Sequence, residues 1–370
     1  MKRNISEGET HTLRLPRFAL AFYAIAAVSA ILFVIFLCSK KFADVFNRYI
    51  SSVLRSALAH LTSWVPFSVA EFLLLLLIPI VVLLAMFGIR KYSDTWRSVG
   101  IYCASLLSVI ALVFSLFTVG FAAGYRGTTL DEKLGLERRD VSAEELYATA
   151  LILSGELKEL SGRIGYSPET NFSVMPYGTV ELSECLNETY ALACAEYGFL
   201  PQLRSRIKPV MLSRAMSYTH ITGVYTFFTG EANINVAFPD YTLPFTAAHE
   251  LAHQRGVARE DEANFMAFLI CIRSEEIYLR YSGYLSLYEY VASALYEASD
   301  ELYWKAYVTL PNRVRAEMAA YSAFFETYRD SVAGDVSEAV NDTFLTIHGT
   351  EGTKSYGMVV DLAVAYYRGR

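Results

Sequence analysis

Ala248-His249-Glu250-Leu251-Ala252-His253-Gln254-Arg255-Gly256 is the stretch on which the reading of this chain turns. Residues four apart on a helix share a face, so His249 and His253 can reach one metal ion together. Glu250 lies beside the first of them, where a carboxylate can take a proton from metal-bound water without ligating the ion. Leu251 and Ala252 are good helix formers, and Gly256 suits the residue just past a helix end. Upstream, Pro239-Asp240-Tyr241-Thr242-Leu243-Pro244 reads as a turn leading into a helix start.

A catalytic zinc site takes three protein ligands and leaves one position for water. After Gly256 turns the chain, Glu260, Asp261 and Glu262 open the next helix, and one of them can return to the metal. Acids in a first turn are also favoured by the helix dipole alone. Two imidazoles and a carboxylate suit Zn2+ best among divalent ions.

Working outward, the 370 residues are 54% hydrophobic and only 19% charged, below the quarter usual for soluble chains. Aromatics at 14% exclude a disordered chain. A formal charge of −6 without a basic cluster excludes a nucleic-acid partner. The apolar excess is concentrated in three runs, about residues 18–38, 67–89 and 99–124. Each is long enough to cross the roughly 30 Å of hydrocarbon in a bilayer. Lys2, Arg3, Arg14 and Arg17 precede the first run, but Ser39-Lys40-Lys41 follows it in place of a small-residue cleavage site. It therefore reads as an uncleaved span. Pro79 would kink the second run, and Glu71 lies at its edge, within reach of the interface.

The expected organisation is a multi-pass membrane anchor over residues 1–124, then a mostly helical α+β domain over residues 125–370 with a small sheet. Basic residues at the amino terminus, with Arg90, Lys91 and Arg97 in the second loop, favour an extracytoplasmic carboxy-terminal domain. Lys40, Lys41, Arg48 and Arg55 in the first loop oppose that orientation. A Cys185–Cys194 disulfide is possible outside a cell, though free thiols fit as well.

In the carboxy-terminal part, Ser142 and Glu145 form a capping-box pattern before a helix reaching Leu160, and a second helix is expected around Cys185–Tyr197. The runs Val224–Phe228 and Ile234–Phe238 read as two strands parted by Thr229-Gly230. From Glu260 onward helices are expected almost to the end, with interruptions near Gly283, Pro311, Gly334 and Gly349–Gly352.

Glu260-Asp261-Glu262-Ala263-Asn264 resembles the E-x-E-A-[ND] signature of gluzincin-type peptidases. That resemblance implies Glu260 as third ligand, Glu262 in reserve, and Asn264 as a supporting group. Gly223-Val224-Tyr225, Thr229 to Asn233, Leu243 to Thr246, the HELAHQRG stretch and the EDEAN stretch occur together after three apolar runs. The chain thereby resembles a bacterial membrane family assigned to the zincin-like clan, the domain of unknown function 3810 family. The clan implies an edge strand beside the metal on which an extended peptide lies. Glu231 to Phe238 is the candidate, with Glu231, Ala232, Asn233, Ile234 and Asn235 at its core.

An oxyanion donor is expected among His220, His348 and Tyr356, with Tyr356 preferred for its glycine-flanked loop. Arg255 would anchor the turn. The expected function is zinc-dependent hydrolysis of peptides or proteins of the cell envelope, near the lipid bilayer. The alternative is a non-catalytic membrane sensor or scaffold with a structural metal site.

Overall fold

The computed structural model describes residues 14–352, 354 and 357–368. Three of its helices are long and apolar enough to cross a membrane. They are α1 (Arg17–Cys38), a second helix over Val69–Tyr92, and a third running unbroken over Trp96–Arg126. The expected boundary at residue 124 thus falls inside a helix.

The first loop is not a loop. It forms α2 (Lys40–Phe46), a π-helical turn over Asn47–Ser51, and α3 (Ser52–Ser63), followed by the second apolar helix, α4 (Val69–Tyr92). The third apolar helix comprises α5 (Trp96–Phe117), a second π turn over Thr118–Ala122, and α6 (Ala123–Arg126). Arg55, which weighed as a loop charge, is 1% exposed inside the protein. Lys40 pairs with Glu132 at 3.4 Å. Hydropathy could not see these helices, because their apolar residues are spaced along one face instead of being consecutive.

Past α6 come α7 (Leu130–Leu134), α8 (Ala143–Ser161) and α9 (Thr179–Glu196). Ser142 and Glu145 form the expected capping box on α8. Cys185 and Cys194 are free thiols on α9. Nine residues of helix separate them by about 13 Å, twice what a disulfide spans, so the possible pairing is excluded.

The sheet has three strands where two were expected. β1 (Ile207–Pro209) is followed by α10 (Ser213–Ser217), β2 (Gly223–Thr226) and β3 (Glu231–Ile234). The order is β1-β3-β2, with β1 parallel and β2 antiparallel to β3. The first expected strand ends two residues early, and the second is displaced, sharing only Ile234 with the expected Ile234–Phe238, each for a local reason. Thr226 O accepts the Gly230 amide at 2.7 Å, folding Phe227 and Phe228 into a turn whose Gly230 has φ +71°. Asn235 Oδ1 accepts the Ala237 amide at 3.1 Å, a side-chain turn that stops β3 before Phe238. β3 is the central strand, not an edge. Both its margins are already paired, so no peptide can add beside Glu231–Ile234.

The remaining helices are α11 (Thr242–Gln254), α12 (Glu260–Arg273), α13 (Ile277–Ala298), α14 (Asp300–Tyr307), α15 (Asn312–Glu326), α16 (Val332–Ile347) and α17 (Val359–Arg368). Gly283 does not interrupt a helix but lies within α13, whereas the break expected near Gly334 falls at residues 327–331, just before α16. A Cβ at Gly283 would come 2.5 Å from Cys271 Cβ, so glycine there lets α13 close on α12. The main core gathers side chains from α8, α9, α11, α12, α13 and α17.

Polar side chains of the sheet hold the ends of the amino-terminal helices. Glu231 caps the start of α4, accepting the Val69 and Ala70 amides at 3.0 and 2.8 Å. Ser68 Oγ donates to Asn233 Oδ1 at 2.6 Å. Lys208, 1% exposed, donates to the carbonyls of Thr62 and Val65 just past α3. Glu71 faces the protein instead of an interface and accepts the Met211 and Leu212 amides, each at 2.8 Å. These are helix-end partners of the kind that orphan amides and carbonyls require.

Candidate metal centre

Every residue of α11 is buried. Ala247, Ala248 and Ala252 are small enough for neighbouring elements to approach closely, and Tyr190 donates its hydroxyl to Ala248 O at 2.6 Å. The chain then reverses at Gly256, with φ +91°, and enters α12 at Glu260. A side chain at Gly256 would be strained in backbone, and its Cβ would lie 2.5 Å from the Arg55 guanidinium.

That reversal assembles the site. Val257 O meets His253 Nδ1 at 2.8 Å. A carbonyl only accepts, so His253 carries its proton on Nδ1 and turns Nε2 inward. Glu260 Oε2 lies 3.1 Å from His249 Nε2 and 3.3 Å from His253 Nε2. The three ligand atoms lie within 4.8 Å of one another and could hold a metal ion. Glu262, the reserve ligand, is directed elsewhere: its Oε1 accepts the Leu130 amide at 3.0 Å. Asp261 pairs with Arg138 at 2.9 Å. Of the three acids opening α12, only Glu260 faces the histidines.

Electrostatics follow the geometry. Burial pushes Glu250 up to about 7, against the nearby imidazoles. Burial pulls His253 down, but the Glu260 carboxylate outweighs it and lifts the imidazole to about 9. Glu260, against its own burial, is held well below the usual carboxylate range by the two histidines. His249 Nδ1 and Glu250 Oε2 are buried without a hydrogen-bond partner among the described residues. Unmet buried polar atoms are rare and concentrate at functional sites. The donor set of two imidazole nitrogens and one carboxylate oxygen fits a divalent cation.

β2, not β3, runs beside Glu250. The Tyr225 amide hydrogen-bonds its carboxylate. A Cβ at Gly223 would fall 2.6 Å from Glu250 Oε1 and 2.8 Å from Thr246 Cγ2. Glycine at 223 therefore lets the strand lie against the metal helix. β2 is an edge strand, so the strand beside Glu250 is not the expected Glu231 to Phe238.

Asn264 bonds the Tyr290 hydroxyl, and Tyr290 lies within the field of the Glu260 carboxylate. His220 Nε2 is taken by Tyr328 O at 2.8 Å, and His348 Nδ1 by Phe344 O at 2.7 Å. Tyr356 lies outside the described residues. Arg255 anchors the turn as expected, donating to Leu203 O at 2.6 Å and lying 3.9 Å over the Tyr190 ring.

The larger omission from the sequence reading is the amino-terminal contribution. The metal-helix stretch is far in sequence from any apolar run, yet the third apolar helix ends against it. The Phe121 ring lies 5.9 Å from that of His253. A Cβ at Gly124 would be 2.7 Å from Gly256 O. Arg55 Nε donates to Gln254 O at 3.0 Å and its NH1 to Gly120 O at 2.7 Å, while Asn47 Nδ2 donates to Gly256 O at 2.9 Å. One signal was available: Gly120 and Gly124 are four apart in an apolar helix, the spacing that permits close backbone approach.

Residues 46–364 match the family described as protein of unknown function (DUF3810), and the chain belongs to that family. No curated protein and no solved structure matches the chain.

Proposed function

We propose that this member of the DUF3810 family is a membrane-anchored zinc peptidase with a zincin-like site, in which His249, His253 and Glu260 hold the metal and Glu250 is the general base. The observation that carries the reading is the convergence of two imidazole nitrogens and the Glu260 carboxylate oxygen, with a second carboxylate, Glu250, on the same helix as the histidines.

Zinc bound there would supply Lewis-acid polarisation of a carbonyl and lower the pKa of a water. The rest falls to the chain. His253 is fixed in orientation by Val257 O. Glu250, which burial lifts to about 7, can accept a proton near neutral pH and return it to the leaving amine. A cation beside it would lower that value again. β2 offers the edge on which an extended substrate would lie, in place of Glu231 to Asn235. Substrates are then peptides or proteins of the cell envelope held near the bilayer, and the carboxy-terminal part is extracytoplasmic.

A structural or sensing metal site is the second reading, favoured by the burial of all four residues, each less than a tenth exposed. A structural ion has no use for Glu250 beside it. The separating experiment compares metal content and turnover of a broad peptide library for the full-length wild type and Glu250→Gln. The expected result is zinc in both and turnover lowered about 10²–10⁴-fold in the variant. Zinc with no turnover in wild type would establish the structural reading. Folded wild type that takes up no metal would sink both.

A further inference from the structure

The helical rod of α2, the π turn and α3 turns large apolar side chains outward. Its inward face carries Ser51, Ser52 and Arg55 beside Ala43, Phe46 and Ala59, all buried. Its outward face carries Phe42, Val45, Tyr49, Val53, Leu61 and Trp64, at helical spacing and all exposed. Val53, Leu61 and Trp64 are 66%, 69% and 79% exposed, too much for side chains that merely border a core. A water-facing helix would place its polar residues outward, and an apolar stripe this long on a soluble surface marks an interaction face.

We propose that Lys40–Trp64 lies flat in the bilayer surface, with this stripe among lipid acyl chains and its inward face forming a floor under the metal helix. The inference rests on reading α1, α4 and α5 as membrane spans. Three observations name lipid as the occupant. The stripe is continuous with that apolar surface at both ends, since α1 stops at Cys38 and α4 starts at Val69. Chain direction puts the rod on the bilayer side where the third apolar helix ends and the metal centre begins. Its margins carry interfacial chemistry: Trp64, Tyr49 with Arg48 lying 5.4 Å over its ring, and the exposed Lys41. Surface-lying helices bury such a face about 5–10 Å below the headgroups.

The chain has three tryptophans, Trp64, Trp96 and Trp304, which makes the test direct. Full-length protein carrying Trp96→Phe and Trp304→Phe is placed in liposomes whose acyl chains are brominated near the headgroup. A companion with Trp64→Phe and Trp96→Phe keeps Trp304, 51% exposed on α14, as the aqueous reference. The proposal expects Trp64 emission to fall by roughly half, as for a residue at acyl depth, and Trp304 emission to stay unchanged. Quenching of Trp64 by aqueous iodide but not by bromine would overturn it, because water would then cover the stripe. Protection from both quenchers would also overturn it, because a protein, such as a second copy, would be the occupant. If either variant misfolds, a photoactivatable lipid on wild-type protein decides: adducts at residues 42–64 support the proposal, and adducts on α1 and α4 alone overturn it. Absence of adducts from α1 and α4 would overturn the span reading and this proposal together. None of these readouts needs metal or turnover, so failure here is separable from failure of the peptidase reading.

Discussion

The two ends of α11 are held by different parts of the chain. Its start is tied to α13, close in sequence: the Phe245 amide donates to Ser282 Oγ at 3.1 Å, and the Tyr241 hydroxyl to Glu289 at 2.8 Å. Its finish is tied to residues far earlier in the chain, Arg55 and Asn47 some two hundred positions before it and Gly124 132 before Gly256. The residues that could hold a metal ion cluster toward that second end. The difference teaches that the carboxy-terminal part builds the helix, whereas the amino-terminal part fixes where the helix stops and turns toward Glu260.

The most drastic way to break this contrast is to remove residues 1–124. The remaining fragment should lose the Arg55, Asn47 and Phe121 contacts and bind zinc poorly or misfold. Metal content and circular dichroism beside the full chain check this, and a fully metallated, folded fragment would show that the second end needs no outside support. A sharper cut is Arg55→Met. It strips hydrogen-bonding cation from buried carbonyls and should cost about 3 kcal/mol, read as unfolding free energy in mild detergent. Gly223→Ala acts between the ends. It should push Glu250 aside and lower turnover severalfold while zinc content stays full, a split visible by assaying both on one preparation. Ser282→Ala, at the first end, removes a neutral hydrogen-bonding group and should cost only about 1 kcal/mol.

A pH dependence also belongs to the first end. Burial pushes Glu289 up to about 7 from an ordinary value of 4.5, with Glu317 adding to the rise and the Tyr241 bond opposing it. Across that window the folded state keeps a proton that the unfolded chain releases. Stability therefore falls as pH rises from about 4.5 to about 7. Glu289→Gln should flatten that part of the profile in a series of thermal melts, and an unchanged slope would remove Glu289 as its source.

What could be read in the sequence divides along the same line. His249, Glu250 and His253 were legible because a helix fixes their spacing, whereas local chemistry left Glu260, Asp261 and Glu262 open and only the family resemblance singled out Glu260. The three apolar helices were legible from length and hydropathy. Arg55 and Asn47 were not, since their roles exist only when distant segments meet, and a basic residue between two apolar runs reads as a loop charge. The strand beside Glu250 was misassigned because alternation within Gly223–Phe238 does not reveal which strand lies in the middle. Parallel pairing by the short β1, invisible as a pattern, places β3 there.

The two π turns, Asn47–Ser51 and Thr118–Ala122, carry a consequence of their own. Each widens its helix by one residue, and the carbonyls around them are put to use: Val119 O receives Ser51 Oγ and Gly120 O receives Arg55. An extra residue shifts the phase of all that follows by about 100°. Phe121, Gly124 and Tyr125 face the metal helix in the phase that the second turn sets. A single-residue deletion there would keep the helix apolar and long enough to cross a bilayer, yet swing those three side-chain positions away from His253 and Gly256. Gain or loss of one residue at this bulge is therefore a change of angle more than of length.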